Sequence, residues 1–294
     1  MIVAIEKRPR ITILNRIASA VNGGNFQVVR FNSPMRVSGE VLPKCDAVVL
    51  FNGAHPKYRS IVDTARRRGV YTIFIELGWL PQRPYNQVDF NGINADVSWA
   101  NDSLGNVSDS PIKLKPGKLL VPLQNDEDVS IRSQSPWFSC MFQFLKYLGE
   151  HSTMPLIIRK HPRHIAKTDR RVIRLVEGSK KMVWDQSPSL TVALGNARAV
   201  ATINSTSGLE AIAAGCPVLC FGHAIYRRDD VVICLDNGAK RTRRAIEAIV
   251  KGKISLNAGN MQAFIELVKS KQIHRNDTPA LVVSMLKALK DNKC

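Results

Sequence analysis

Ala201-Thr202-Ile203-Asn204-Ser205-Thr206-Ser207-Gly208-Leu209-Glu210-Ala211-Ile212-Ala213-Ala214-Gly215-Cys216-Pro217-Val218-Leu219-Cys220-Phe221-Gly222 is the stretch from which the rest of the chain is best read. Ala199 to Ile203 is short and apolar, as a buried strand is. Ser205, Thr206 and Ser207 are residues that start helices, and Glu210 lies three positions after Ser207, the spacing of a capping box. The following helix is nearly all apolar. Gly215 stops it, Pro217 prevents its continuation, and Val218 to Phe221 re-enters a sheet. Strand, polar turn, helix, strand is the unit of a parallel α/β sheet.

A helix opening on Ser-Thr-Ser-Gly offers backbone N–H groups, hydroxyls and a positive dipole end, which together suit phosphate. Glu210, one turn further, is placed to accept from ribose hydroxyls. An ordinary strand–helix–strand unit with a good cap would show the same pattern. The order Ser207-Gly208-x-Glu210-Ala211-x-x-x-Gly215-x-Pro217-Val218 resembles the nucleotide-binding segment of GT-B glycosyltransferases, which holds the nucleotide half of a sugar donor.

Outward from this segment, β-α alternation continues in both directions. On the N-terminal side Arg10–Leu14, Phe26–Phe31, Asp46–Phe51 and Val70–Ile75 read as strands. Asn15–Val21 and Lys57–Arg68 read as helices, the second closed by Gly69. Met1–Ile5 is a short apolar start interrupted by Glu6-Lys7-Arg8, and Val88–Asn94 is too irregular for a regular element. Asn101–Gly117, rich in Ser, Asn, Gly and Pro, reads as a boundary. Lys118–Gln124, Leu156–Arg159, Met182–Trp184 and Val231–Leu235 read as further strands. Trp137–Gly149, Arg170–Glu177, Leu190–Asn196, Arg241–Val250, Met261–Ser270 and Ala280–Leu289 read as helices. The expectation is α/β and GT-B-like: a Rossmann-like acceptor-side domain over residues 1–105 and a Rossmann-like nucleotide-sugar domain over 117–294, their parallel sheets facing an interdomain cleft.

Composition narrows the class. With 294 residues and 45% hydrophobic content, the chain can build two cores. No apolar run reaches the length of a membrane span, and the N-terminus lacks the long apolar segment of a signal peptide. The expected location is the cytoplasm, or the periphery of the inner membrane face. Six scattered cysteines without a Cys-x-x-Cys pair indicate neither zinc nor a disulfide framework. The net charge of +18, from 42 Lys and Arg against 24 Asp and Glu, favours a polyanionic partner. No feature points to an obligate protein partner.

Four polar motifs fall at strand ends, where open α/β sheets bind ligands: Glu76-Leu77-Gly78-Trp79, Gln124-Asn125-Asp126-Glu127-Asp128, Arg159-Lys160-His161-Pro162-Arg163, and Asn204 to Glu210. Singly each has a plain structural reading, as a solvated loop acid, a helix start or a structural His-Pro. In this order they resemble the capsule-type β-Kdo transferases of the capsule polysaccharide synthesis and export family. These are retaining GT-B-like enzymes that use a CMP-activated sugar acid. The resemblance implies that Asp128 is the nucleophile or cation-stabilising carboxylate, with Asp126 the alternative. It also implies that His161 with Arg159, Lys160 or Arg163 holds the donor phosphate, and that Glu76 is the general base on the acceptor hydroxyl. Gln124, Asn204, Ser205, Thr206, Ser207, Gly208 and Glu210 complete the expected donor site. Trp79 and the basic run Arg66-Arg67-Arg68 are the expected acceptor contacts.

Such a transfer needs a nucleophile, a proton acceptor and positive charge at the departing phosphate, and no catalytic metal or other cofactor is expected beside the nucleotide-sugar co-substrate. Leu123, the short chain and the strong basicity depart from the family pattern. The basic blocks suit either a nucleic acid or an anionic membrane, and their few interleaved aromatics suit duplex phosphates better than single strands. Because no amphipathic helix with a large aromatic face announces membrane docking, the favoured acceptor is DNA bearing a hydroxymethylated pyrimidine. The alternatives are a lipid-linked or capsular saccharide at the inner membrane face, and a non-catalytic nucleic-acid binder.

Overall fold

The structure, a computed structural model, describes residues 1–8, 10–34, 41–162 and 168–291. The chain divides into two compact units, Met1–Ala100 with Val268–Cys294, and Asn101–Leu267. Each is built on a six-stranded sheet, so the α/β expectation of two mainly parallel sheets holds.

The first unit runs β1 (Ile2–Lys7), α1 (Thr12–Gly23), β2 (Gln27–Asn32), β3 (Ala47–Phe51), α2 (Arg59–Arg67), β4 (Tyr71–Leu77) and β5 (Tyr85–Asp89). Strands β1 to β4 are mutually parallel, and β5 returns antiparallel to β4 with Glu76 opposite Gln87. Two expectations are corrected here. The first strand is Ile2–Lys7 rather than Arg10–Leu14, which lies at the start of α1. The polar trio Glu6-Lys7-Arg8 does not end an apolar segment: Val3, Ala4, Ile5 and Glu6 are all fully buried in the sheet. Likewise the irregular stretch around Val88 contains β5, whose buried residues include Asn86, Gln87 and Asp89. Their side chains are satisfied locally, Asn86 donating to the Glu76 carbonyl at 3.0 Å and Gln87 to that of Leu77 at 2.8 Å.

The second unit runs β6 (Lys118–Pro122), α3 (Val129–Gln134), α4 (Met141–His151), β7 (Leu156–Arg159), α5 (Arg170–Glu177), β8 (Met182–Trp184), α6 (Leu190–Gly195), β9 (Ala197–Thr202), α7 (Ser207–Ala213), β10 (Val218–Cys220), β11 (Ile233–Cys234), α8 (Ala239–Val250) and most of α9 (Ala258–Lys271), whose residues from Val268 on count with the first unit. Its strands are all parallel, in the order β11-β10-β9-β6-β7-β8. Near-continuous apolar strands such as Leu119–Val121 and Ala199–Ala201 are buried there, with Phe144, Leu145 and Leu148 of α4 in the same core. Gly215 takes φ +68 at the end of α7, the left-handed stop read from the sequence.

After α9 the chain adds β12 (Ile273–His274) beside β5 and α10 (Thr278–Asp291) to the first unit. Val282 and Leu286 of α10 are fully buried in one cluster with Leu14, Ile17 and Val21 of α1. The sequence reading had assigned everything from residue 117 onward to the second domain. The apolar face of α1 requires a cover, and α10 supplies it from the far end of the chain.

Candidate active site

In the second sheet β9, β6 and β7 are adjacent and parallel. Gln124, Arg159 and Asn204 therefore emerge at one edge, the carboxyl edge where such sheets bind ligands. Gln124 and Asn204 are both buried, and their amides face each other. Gln124 Nε2 donates to Asn204 Oδ1 at 2.9 Å, while Gln124 Oε1 accepts from the Asn204 backbone N–H at 3.2 Å and Thr202 Oγ1 at 3.3 Å. Asn204 Nδ2 donates to the carbonyls of Ser130 at 2.8 Å and Gln134 at 3.0 Å. The two expected donor contacts are thus a polar knot joining the ends of β6 and β9 to α3. Their amides answer backbone groups that the sheet leaves unpaired where it stops.

The turn that follows is also more self-sufficient than its sequence suggests. Ser207 N–H donates to Ser205 Oγ at 3.1 Å, Gly208 N–H to the Ser205 carbonyl at 2.9 Å, and Leu209 N–H to the Thr206 carbonyl at 2.9 Å. Thr206 takes the cap position with helical backbone and no side-chain cap bond. The capping box between Ser207 and Glu210 does not form. Gly208 has a packing role: a Cβ there would collide with the phenol ring of Tyr226, whose hydroxyl donates to the Ser205 carbonyl at 2.6 Å. What the turn presents is chiefly hydroxyl groups, those of Ser205, Thr206 and Ser207 at half-buried positions.

Next along the edge, the Arg159 guanidinium is held by Asp185 and by the Ser187 carbonyl at 3.0 Å. Burial would raise the Asp185 carboxyl, but hydrogen bonds from Ser187 and Arg159 outweigh it and bring it below the ordinary aspartate range. Lys160 Nζ lies 4.6 Å from the centre of the Trp184 ring. Glu210 has an exposed side chain, yet surrounding protein desolvates its carboxyl and raises it, with the charge of Arg159 acting in the opposite direction. Glu210 thus lies within electrical reach of Arg159. His161 is half-buried next to Lys160. Arg163 lies outside the described residues. Asp185 escaped the sequence reading, although an acid directly after the short strand Met182–Trp184 was a usable signal.

The acidic turn resolves into separate roles. Asp126 Oδ1 accepts from the Met141 N–H at 2.7 Å and so caps α4. Burial raises its carboxyl, and the Met141 hydrogen bond opposes that. Asp128 opens α3 through its backbone carbonyl, which accepts from Ile131 and Arg132. Its side chain is exposed, with Oδ1 accepting from Asn125 Nδ2 at 3.1 Å. Of the two, Asp128 is open to a ligand. Among the described residues no three His, Cys, Asp or Glu side chains stand together in a way that could hold a metal ion.

In the first unit Glu76 sits within β4 rather than after it, half-buried, with Oε1 accepting from the Leu77 N–H at 2.8 Å. Trp79 is buried edge-on against Trp99, ring centres 5.1 Å apart, and is a packing residue instead of an exposed acceptor contact. Arg66, Arg67 and Arg68 end α2 and lead into the start of β4, at the opposite end of that strand from Glu76. They do not gather with it. The reading also missed Glu6, whose buried carboxylate accepts from the Phe51 N–H at 3.1 Å and from the Tyr58 hydroxyl, with Arg8 Nε 3.8 Å away.

The model of the family described as capsule polysaccharide biosynthesis protein matches residues 94–245, just over half of the 294-residue chain. The chain belongs to this family. The matched span contains every second-unit motif described above and excludes Glu76. Protein FixF of Sinorhizobium fredii (strain NBRC 101917 / NGR234) is 28% identical over 211 residues, covering 63% of this chain and 50% of FixF. The chain thus spans about half the length of that curated relative. Among solved structures, the Thermosulfurimonas dismutans KpsC β-Kdo 2,7 transferase aligns over 97% of this chain and 99% of its own, with a TM-score of 0.57 and 15% identity. The β-Kdo 2,4 transferase of the same KpsC aligns over 96% and 98%, with a TM-score of 0.56 and 16% identity. At such identity the likeness concerns the fold, which is that of a GT-B glycosyltransferase.

Proposed function

We propose that this capsule-family protein is a glycosyltransferase that moves a Kdo-type sugar acid from a CMP-activated donor to a hydroxyl of a lipid-linked or capsular saccharide. The reading is supported most directly by the carboxyl edge of the second sheet, where β6, β7 and β9 end side by side and are followed in the chain by Asp128, by Lys160-His161 after Arg159, and by the Ser205–Glu210 turn and helix start. In this reading the basic run neutralises the phosphate as the nucleotide departs, and the hydroxyls donate hydrogen bonds to it. Glu210 accepts from ribose hydroxyls. Asp128 attacks or stabilises the sugar cation, giving retention without a metal. Gln124, Asn204 and Asp185 act behind the site by holding its elements and Arg159.

The acceptor changes from the sequence expectation. Neither the family nor the relatives favours DNA, whereas both carry saccharide chemistry. The excess of basic charge is equally compatible with an anionic glycolipid. Among the described residues no helix is long and apolar enough to cross a membrane.

The test offers CMP-Kdo with two acceptors at matched salt, a lipid-linked saccharide and hydroxymethylated DNA. Label is expected in the lipid-linked product and is lost in Asp128→Asn, while CMP still raises the melting temperature of that variant. Label confined to DNA sinks the saccharide acceptor, and near-normal turnover by Asp128→Asn removes Asp128 from the mechanism.

A further inference from the structure

The first unit carries an apolar and basic surface that the donor chemistry does not use. It surrounds the end of α2. Ile61 and Ala65 turn into the core, while Arg66, Arg67 and Arg68 are exposed. Beside them lies an open cavity of about 460 Å³, lined by Val62, Arg66, Val70, Tyr71, Phe74 and Phe90 among others. Tyr71 is 36% exposed and Phe90 40%. Val41, 68% exposed, precedes Leu42, whose carbonyl accepts from Arg68 Nη1 at 3.1 Å. These three are the large apolar side chains exposed in the first unit among its described residues, and all of them border the arginine run. Asp63 is the one acid of α2.

We propose that this face docks on an anionic lipid bilayer, the arginines at the phosphate level and Tyr71, Phe90 and Val41 in the interfacial layer. Arginine mixed with aromatic and aliphatic side chains is the composition that a headgroup boundary accommodates. Duplex phosphates would satisfy the arginines but would leave the exposed Val41 and Phe90 without apolar cover. The surface lies at the start of β4, one strand length from Glu76 at its other end, or roughly 20 Å. Contact here would leave that strand's carboxyl end away from the lipid. The docking itself does not depend on the donor or the sugar.

The experiment is flotation of the full chain with vesicles of phosphatidylcholine alone and of phosphatidylcholine with phosphatidylglycerol, at physiological salt. The wild type is expected to float with the anionic vesicles only. Arg66→Glu and Arg67→Glu together should lower partitioning by well over tenfold, since each basic residue near such a surface contributes about a fivefold factor. Phe90→Ser should weaken binding without changing charge. Lys180→Glu with Lys181→Glu, equally exposed in the second unit, is the matched charge control, and melting curves verify that each variant folds. Loss of binding by the control as large as that of the arginine pair, or no effect of Phe90→Ser, overturns the proposal. So does a wild type that ignores anionic vesicles, or one whose α2 surface retains duplex DNA in place of lipid.

Discussion

Gly208 looks in the sequence like a phosphate-loop glycine, but its neighbour decides its role. With Tyr226 fully packed against it and that hydroxyl tied to the Ser205 carbonyl, Gly208→Ala overfills a rigid site. The expected loss is about 1–3 kcal/mol, read from urea unfolding, and a neutral substitution would show that the turn can yield. Glu210 is the residue whose titration should be felt in binding. Because desolvation raises its carboxyl, it takes up a proton at a pH above the ordinary glutamate range. In the proposed donor site the protonated carboxyl is a weaker acceptor for ribose hydroxyls than the carboxylate. CMP affinity should therefore fall as the pH drops through that region. Glu210→Gln should bind more weakly at neutral pH and lack the acid limb, and an unchanged limb in that variant would place the titrating group elsewhere.

At the scale of elements, the site depends on the ends of β6 and β9 being held in register with α3. The Gln124–Asn204 pair does this from buried positions. Gln124→Leu keeps the approximate size but leaves Asn204 and Thr202 short of partners, and should cost about 1–3 kcal/mol. Chemical denaturation with hydrogen exchange at Asn204 and Ser205 measures it, and retained protection there would refute the bracing role. The same scale shows where sequence reading succeeds. β7, β8 and α5 have the residues expected, Leu156–Arg159, Met182–Trp184 and Arg170–Glu177, because period and breakers agree there. It failed at β1 and β5, whose buried polar side chains disguise the strand pattern. Glu6, Asn86, Gln87 and Asp89 resemble loop residues until their partners, on Phe51, Tyr58, Glu76, Leu77 and Ser98, are brought alongside.

Across the whole molecule, the consequential feature is the return of the C-terminus to the first unit. Leu286 is fully buried with α1, although some 270 residues separate them in sequence. Leu286→Ala should cost about 2–5 kcal/mol. Hydrogen exchange is expected to rise in α1 and β1 while the β6–β9 core of the second unit keeps its protection. Uniform loosening of both units would contradict the division of the chain.

Local pattern alone determined much here: the α/β class, the second sheet with its parallel strands, the glycine stop at Gly215, the placing of Arg159 at a strand end and of Asp128 in the loop after one, and Glu210 in the first turn of the following helix. These follow from hydrophobic period, turn residues and caps, all of which act over a few residues. Tertiary structure alone decided what each polar side chain is for. It made Asp126 a cap, Gln124 and Asn204 a brace, Gly208 a packing contact and Trp79 a buried edge-to-face partner, and it made Asp185 the holder of Arg159. The reason is physical: a polar group's role is set by which partner replaces its water, and those partners come from segments tens to hundreds of residues away.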